Sequence, residues 1–250
     1  MSKLRALIFD VDGTLGDTER HGHRVAFNRA FAAAGLDWNW SVSFYGKLLA
    51  IPGGKERLHF YINKYHPDFR RREDLEQFIL HLHESKNEYY RQILATEPIP
   101  LRPGVRRLLR ESLSEGIRLA IASTANLANV LSLLKYSLSP EAPSWFEVIA
   151  AGDIVPAKKP APDIYQYTLE KMGLSPSECL AFEDSPQGLI AAHGAGLKTI
   201  VTVNEYTKHY DFPTAILVLD SLGEPDQPFK VLAGNPGMYS YLNLSLAKHL

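Results

Sequence analysis

The chain has 250 residues, of which 45% are hydrophobic and 22% are charged, and its formal net charge is −1. This composition is typical of a globular protein with one large domain or a domain and an insert, and the lack of a basic field argues against nucleic acid or a membrane as a partner. Strand-like sequence begins by Leu4, which leaves no room for a targeting peptide, and no apolar run approaches the ~20 residues of a membrane span. The single cysteine, Cys179, fits a reducing compartment, so we expect a cytoplasmic protein.

Short apolar runs alternate with helical patterns along most of the chain. Each run is followed by Gly, Pro or polar residues, as is typical of strands, and the alternation predicts a parallel α/β sheet. The predicted strands cover residues 4–9, 117–122, 146–151, 179–182, 197–203 and 215–219, and the predicted helices cover residues 103–114, 125–135, 162–172 and 186–194.

The interval from Asp17 to Glu97 has no strand pattern. Its apolar residues recur at helical spacing in long stripes, which we interpret as core packing rather than as a cofactor site. The sequence therefore predicts a helical domain over residues 17–97, inserted into a core domain formed by residues 1–16 and 98–250. An insert that follows the carboxyl end of a strand is expected to act as a lid over a site at that sheet edge.

The first predicted strand ends in two aspartates, Asp10 and Asp12, which are followed by Gly and Thr. Side chains of an extended chain point to the same face at every second residue, so both carboxylates are expected to point the same way. They lie at the edge where open parallel sheets place their sites. Two like charges this close repel each other, and we expect a positive group beside them.

Polar residues also follow three later strands. Because the carboxyl ends of parallel strands meet at one edge, these residues are expected to converge with the two aspartates in one crevice. Considered alone, Ser123 could also be the N-cap of the helix that follows, and Asp12-Gly13 could also be a simple turn. The later residues that we expect in the crevice are Ser123, Thr124, Asn126, Lys159, Glu183 and Asp184.

Together, the D-V-D-G-T motif, the serine, the Lys-Pro pair and the Glu-Asp pair resemble the four motifs of the haloacid dehalogenase (HAD) superfamily of phosphohydrolases. The resemblance covers roughly residues 4–220. It implies a Rossmann-like α/β core with a parallel sheet and an inserted all-helical cap of the C1 type. Dehalogenation is disfavoured, since a halide leaving group needs no proton and the dehalogenases of the family lack the second aspartate.

The chemistry expected of such a site is phosphoryl transfer with Mg²⁺. Asp10 is the expected nucleophile and Asp12 the expected general acid and base. Lys159 and Ser123 are expected to contact the nucleophile and the phosphate, and the lysine and the metal would offset the repulsion between the aspartates. The expected magnesium ligands are the carboxylates of Asp10, Asp184 and Glu183 and, as the family implies, the backbone carbonyl of Asp12.

Three segments resemble the CbbY-type subfamily: DTERHGHRVAFNRAF, WNWSVSFYGKLLAIPGGKER and AAGDIVPAKKPAPDIY. The characterised activity of that subfamily is hydrolysis of xylulose-1,5-bisphosphate, an inhibitor of Rubisco, to xylulose 5-phosphate. Gly53 and Gly54 allow close approach of the backbone to a ligand, and Lys55 and Arg57 are cations suited to a second phosphate. The remaining residues expected to contact substrate are Glu19, His23, Tyr45, Thr124 and Asn126.

Two alternatives remain open at this stage. A β-phosphoglucomutase or a broad sugar-monophosphate phosphatase would share the core motifs, although the GGKER segment favours the bisphosphatase. A non-catalytic scaffold that binds a phosphometabolite is the second alternative, and the intact acidic and lysine motifs argue against it. We expect a small sugar-phosphate substrate and a monomeric protein. The sequence of residues 223–250 indicates no function.

Overall fold

The computed structural model describes residues 3–69 and 73–250. The chain divides into two compact units, one formed by Met1–Asp17 with Pro100–Leu250 and the other by Thr18–Ile99. Within the described residues, no helix combines the length and the apolar character needed to cross a bilayer.

The described part of the first unit forms one seven-stranded sheet. Its strands are β1 (Ala6–Phe9), β2 (Arg118–Ser123), β3 (Val148–Ala151), β4 (Cys179–Glu183), β5 (Lys198–Thr202), β6 (Leu217–Leu219) and β7 (Val231–Gly234). Their order is β3-β2-β1-β4-β5-β6-β7, and every pair is parallel except the antiparallel pair β6 and β7. The predicted Rossmann-like α/β fold is confirmed, and its sheet, which was expected to be parallel, is parallel except at the β6–β7 pair.

The helices fall into two groups, four in the described part of the second unit and five in that of the first. They are α1 (Arg24–Ala33), α2 (Val42–Leu48), α3 (Gly54–Tyr65), α4 (Leu75–Thr96), α5 (Val105–Ser114), α6 (Leu127–Leu133), α7 (Asp163–Met172), α8 (Pro186–Gly194) and α9 (Leu244–His249). Two π-helical turns adjoin them, Glu19–His23 before α1 and Leu134–Leu138 after α6.

The position of β1 determines where the site lies. All four side chains of β1 are buried, as expected for a parallel strand covered on both faces. Phe9 pairs with Ile121 of β2 on one side and with Phe182 of β4 on the other. The chain that leaves β1 therefore emerges between the carboxyl ends of two neighbouring strands, where the strand order reverses and open α/β sheets bind their ligands.

Two details of the sheet unit differ from the sequence prediction. Helix α6 begins at Leu127 rather than at residue 125, because the Asn126 side chain accepts a hydrogen bond from the Ala128 amide at 3.0 Å and caps the helix. Strand β7 was not predicted. Its four residues are all exposed at the sheet edge, so neither alternation nor a buried apolar run marks it.

The second unit has its own aromatic core. Phe27 and Phe31 of α1, which share a helical stripe, are fully buried and contact Trp40, and Trp38 packs edge-on against Phe31. Tyr61 of α3 packs edge-on against both tryptophans. No strand occurs among the described residues of this unit.

Candidate active site

The centre of the candidate site is an ion pair at the end of β1. The Lys159 ammonium donates to Asp10 Oδ1 at 2.7 Å, to Glu183 Oε1 at 2.6 Å and to the carbonyl oxygen of Ala122 at 2.9 Å. Asp10 is 7% exposed and Lys159 is 5% exposed. The carboxyl ends of β1, β2 and β4 thus meet at one lysine, which is the positive group expected beside Asp10.

Three buried carboxylates, two of which bind this lysine, lie close together. Asp10, Glu183 and Asp184 each offer an oxygen that lies within 4.8 Å of the others. Burial, reinforced by the Glu183 carboxylate, raises the pKa of Asp10 to about 8 despite the opposing effect of Lys159. Burial and the charges of Asp10 and Glu183 likewise raise the pKa of Asp184 well above its ordinary value.

The charge balance of this cluster suits a hard divalent cation. Burial alone would lower the pKa of Lys159, but Asp10 and Glu183 outweigh it and the net effect is a raised pKa, so the lysine is charged. One lysine nevertheless leaves three close carboxylates with excess negative charge, and burial together with this charge raises the pKa of Asp10 and of Asp184. A cation bound by oxygens from all three would offset that charge, and Mg²⁺ prefers ligands of this kind.

Two residues that the sequence analysis missed hold these carboxylates. The Tyr165 hydroxyl donates to the same Glu183 oxygen that Lys159 binds, and burial raises the pKa of Tyr165 well above its ordinary value, so it remains a donor. The Asn204 amide donates to Asp184 Oδ2 at 2.6 Å. Tyr165 lies in the KKPAPDIY segment and Asn204 follows β5 closely, so their positions near strand ends were the available signal.

The loop after β1 is held by Arg102. Its guanidinium donates to the carbonyl oxygen of Gly13 at 2.8 Å and to those of Val203 and Asp220, both at 2.6 Å. These three carbonyls belong to the loop after β1 and to the ends of β5 and β6.

Asp12 lies in a tight loop beside this cluster. It is half-buried, and the loop is closed by a hydrogen bond from the Gly13 amide to the carbonyl of Gly16 at 2.9 Å. A Cβ on Gly13 would lie 2.2 Å from Asp184 Oδ2, so this backbone approaches the carboxylates as only glycine permits. Asp12 and Gly13 therefore form a turn and also lie at the site.

Ser123 ends β2 inside the same unit. It is 1% exposed, and its hydroxyl oxygen accepts from the Ala125 amide at 3.2 Å, which leaves its proton to donate. The N-cap of α6 is Asn126 rather than Ser123. Asn126 is exposed, and its side-chain oxygen Oδ1 accepts the capping hydrogen bond from Ala128. Thr124 is half-buried.

In the second unit, the π-helical turn carries Glu19 and His23. The Tyr45 hydroxyl donates to Glu19 Oε2 at 2.6 Å, and Tyr45 is fully buried. His23 is buried, its ring stacks on Tyr90 and its Nδ1 lies 2.8 Å from Lys86 Nζ. Single π-helical turns often occur at functional sites, and this one presents two of the expected substrate residues.

Arg57 has a different environment from the one expected. Its Nε donates to the carbonyl of Leu48 at 3.1 Å, its Nη2 to the carbonyl of Ile51 at 3.3 Å and its Nη1 to the Tyr45 hydroxyl at 3.0 Å. It is only 7% exposed, and its guanidinium lies 5.2 Å from the centre of the Tyr45 ring. A fork directed at a phosphate was expected, but in the structure the fork braces residues 48–51 and Tyr45.

The glycine pair before Arg57 also has local partners. Gly53 has φ +92°, a conformation that favours glycine, and a Cβ on Gly54 would lie 2.5 Å from His83 Nε2. The close approach expected at Gly54 is thus made to a histidine ring of α4. Lys55 is half-buried in the first turn of α3.

Comparison with known proteins gives a consistent result. A family model described as haloacid dehalogenase-like hydrolase matches residues 4–196. Protein CbbY of Rhodobacter capsulatus is 47% identical over 218 residues, which cover 85% of this chain and 91% of the relative. The plasmid-encoded protein CbbY of Cupriavidus necator is 43% identical over 225 residues, which cover 90% of this chain and 88% of the relative.

A solved structure shows the same fold. The crystal structure of the D10N mutant of CbbY from Rhodobacter sphaeroides, in complex with xylulose-(1,5)bisphosphate, matches with a TM-score of 0.79 and 42% identity. The match covers 87% of this chain and 94% of that one. The chain therefore belongs to the haloacid dehalogenase-like hydrolase family and is a CbbY-like phosphatase.

Proposed function

We propose that this phosphatase hydrolyses xylulose-1,5-bisphosphate to xylulose 5-phosphate through an aspartyl-phosphate intermediate. The observation that carries the proposal is the buried carboxylate at the end of the central strand, Asp10, held by Lys159 at 2.7 Å. The similarity to a CbbY structure in complex with xylulose-(1,5)bisphosphate supports the choice of substrate.

In the first step, Asp10 attacks the phosphorus atom. Lys159 binds Oδ1 and so orients the carboxylate, leaving its second oxygen to form the new bond to phosphorus. As that bond forms, the bond between phosphorus and the sugar oxygen breaks, and Asp12 gives its proton to the leaving oxygen. Ser123 donates its hydroxyl proton to a phosphate oxygen.

In the second step, water cleaves the aspartyl phosphate. Asp12, now a carboxylate, takes a proton from the water, which attacks phosphorus and releases inorganic phosphate and free Asp10. Asp12 thereby returns to its starting state, so that the two steps balance.

We further propose Mg²⁺ as the cofactor, held by Asp10, Glu183 and Asp184 with the backbone carbonyl of Asp12. The oxygen cluster and its excess negative charge support this choice. When bound, the ion neutralises charge on the phosphate and on the surrounding carboxylates. Glu183 has one oxygen committed to Lys159 and Tyr165, so its other oxygen is the one available to a metal.

The helical unit is proposed to recognise the rest of the sugar phosphate. Glu19 on the π-helical turn, which accepts from the Tyr45 hydroxyl, is suited to accept a hydrogen bond from a substrate hydroxyl. His23 on the same turn is suited to contact a hydroxyl or phosphate oxygen. Lys55 is the proposed contact of the distal phosphate. Because the Arg57 fork binds backbone carbonyls, we assign this arginine to shaping the loop before α3.

Phosphate release from a substrate panel tests the proposal. Purified protein with Mg²⁺ is assayed on xylulose-1,5-bisphosphate, other sugar mono- and bisphosphates, and β-glucose 1-phosphate, with Asp10→Asn as the control. We expect the highest kcat/KM for xylulose-1,5-bisphosphate and no turnover by the variant. Conversion of β-glucose 1-phosphate to glucose 6-phosphate without phosphate release would instead identify a mutase. Equal rates on all monophosphates would identify a broad phosphatase.

A further inference from the structure

Arg102 holds the loop after β1 at two separate points. Its guanidinium donates to the carbonyl oxygen of Gly13 at 2.8 Å, and its backbone amide donates to the carbonyl oxygen of Leu15 at 2.9 Å. The mechanism above gives this arginine no role. Its contacts nevertheless fix the segment that directly follows Asp12, the proposed general acid and base.

The other acceptors of the guanidinium lie at the ends of two strands. Its Nη2 donates to the carbonyl oxygens of Val203 and Asp220, both at 2.6 Å, and these residues directly follow β5 and β6. Asp220 is itself held by Lys230, whose amide donates to Asp220 Oδ1 at 2.8 Å and whose carbonyl accepts from the Asp220 amide at 3.1 Å. Arg102 thus ties the loop after β1 to the sheet.

The arrangement of these acceptors suits a guanidinium. Arginine carries five N–H donors in a rigid planar fork, whereas lysine has three donors on one nitrogen. One acceptor is bound by Nη1 and two by Nη2, and all three are backbone carbonyls. The side chain therefore fixes main-chain positions.

The position of Asp12 depends on this loop. The Gly13 amide donates to the carbonyl of Gly16 and the Leu15 amide to that of Val11, both at 2.9 Å, so the loop forms a closed turn. A general acid must lie within hydrogen-bond reach of the leaving oxygen, and a displacement of about 1 Å can cost ~10²-fold in rate.

We infer that Arg102 is a positioning residue that fixes Asp12 through the loop of residues 13–15. The acid role of Asp12 in this inference rests on the proposed function. The hold of Arg102 on the loop does not, and it is tested without substrate.

The first test is amide hydrogen exchange of the ligand-free protein, followed by NMR. Arg102→Met removes the donors and keeps an unbranched side chain. We expect the Gly13 and Leu15 amides to exchange at least tenfold faster in this variant, while the amides of β1 keep their protection, because only the loop loses its hold. Loop exchange at the wild-type rate would overturn the inference.

Arg107→Met is the matched control. Arg107 is also half-buried, and it binds the carbonyl oxygens of Gly223 and Leu242 at 2.7 and 2.8 Å and the Glu224 carboxylate at 2.8 Å. We expect this variant to lower Tm and to leave exchange of the loop after β1 unchanged. Equal acceleration of the loop amides in both variants would show a general loss of stability and overturn a specific role for Arg102.

A second variant separates charge from hydrogen bonding and serves in place of Arg102→Met if that protein does not fold. Arg102→Lys keeps the positive charge but not the fork. We expect faster exchange of the loop amides here too. Wild-type exchange and wild-type kinetics in the lysine variant would show that the charge suffices, and would overturn the role given to the fork.

Kinetics then test the link to Asp12. Arg102→Met should lower kcat for xylulose-1,5-bisphosphate by about ten- to a hundredfold and that for p-nitrophenyl phosphate by less, because an aryl leaving group needs less protonation. Arg107→Met should leave the ratio of the two rates unchanged. In an Asp12→Ala background, Arg102→Met should have almost no further effect, because the residue that it positions is absent.

Equal losses on the two substrates, or independent effects of the two substitutions, would overturn the positioning role. Inactivity of the wild-type protein on xylulose-1,5-bisphosphate would instead contradict the proposed function. The exchange result would then still establish that Arg102 holds the loop.

Discussion

Arg57→Ala separates two interpretations of the same arginine. If Arg57 binds the distal phosphate, its removal should weaken bisphosphate turnover and leave the fold intact. If it braces residues 48–51 and Tyr45, as its three hydrogen bonds indicate, its removal should first of all destabilise the helical unit. The two interpretations therefore predict different stabilities for the variant, and not only different activities.

The magnitude follows from the contacts. A hydrogen bond to a charged group contributes ~1.5–3 kcal/mol, and truncation leaves a buried acceptor without its donor. Taking the lower value for the two shorter bonds, at 3.0 and 3.1 Å, gives a loss of ~3 kcal/mol. For a chain of this size, 1 kcal/mol shifts Tm by about 2–4 °C, so we expect a decrease of about 6–12 °C.

The assay combines thermal unfolding with kcat/KM for xylulose-1,5-bisphosphate and for acetyl phosphate. Lys55→Ala is the matched control, because Lys55 lies two residues before Arg57 in the first turn of the same helix and is only half-buried. We expect Lys55→Ala to keep the wild-type Tm and to lose bisphosphate activity selectively, by roughly ten- to a hundredfold. A wild-type Tm in Arg57→Ala together with a selective loss of bisphosphate turnover would refute the bracing role.

Three further predictions concern the sheet unit. Asp10→Asn should abolish turnover with little change in stability, and phosphate release by this variant at a rate near that of wild type would contradict the covalent mechanism. Asp12→Ala should slow hydrolysis of alkyl phosphates by ~10²–10⁴-fold and that of aryl phosphates by less, since an aryl leaving group needs less protonation; equal losses would argue against an acid role. In Gly188→Ala the new Cβ would lie 1.8 Å from a Glu183 oxygen, so turnover and the apparent affinity for Mg²⁺ should both fall. Gly194→Ala in the same helix is the control, because the nearest atom to its new Cβ is 3.4 Å away. Similar kinetics for the two variants would show that the Glu183 side chain moves to accommodate the new Cβ.

The sequence by itself determined the strands of the parallel sheet and the residues that follow them. Buried runs such as Ala6–Phe9 are recognised because a strand covered on both faces must be apolar along its whole length, and the polar residues after them mark the strand ends. Parallel strands bring their carboxyl ends to one edge, and Asp10, Lys159 and Glu183 do meet there. These are consequences of local periodicity and of a general rule for α/β sheets.

The tertiary structure decided which partner each side chain has. Nothing near Glu183 in the sequence indicates that the Tyr165 hydroxyl would share its oxygen with Lys159, because that contact depends on how α7 packs against the sheet. Arg57 was expected to face a ligand because it is a cation near two glycines. Its actual direction depends on the backbone carbonyls of Leu48 and Ile51, which the chain brings within its reach only when α2 and α3 have packed. Residue type and spacing restrict where a group lies along the chain, whereas the orientation of a long side chain depends on the contacts that folding makes available.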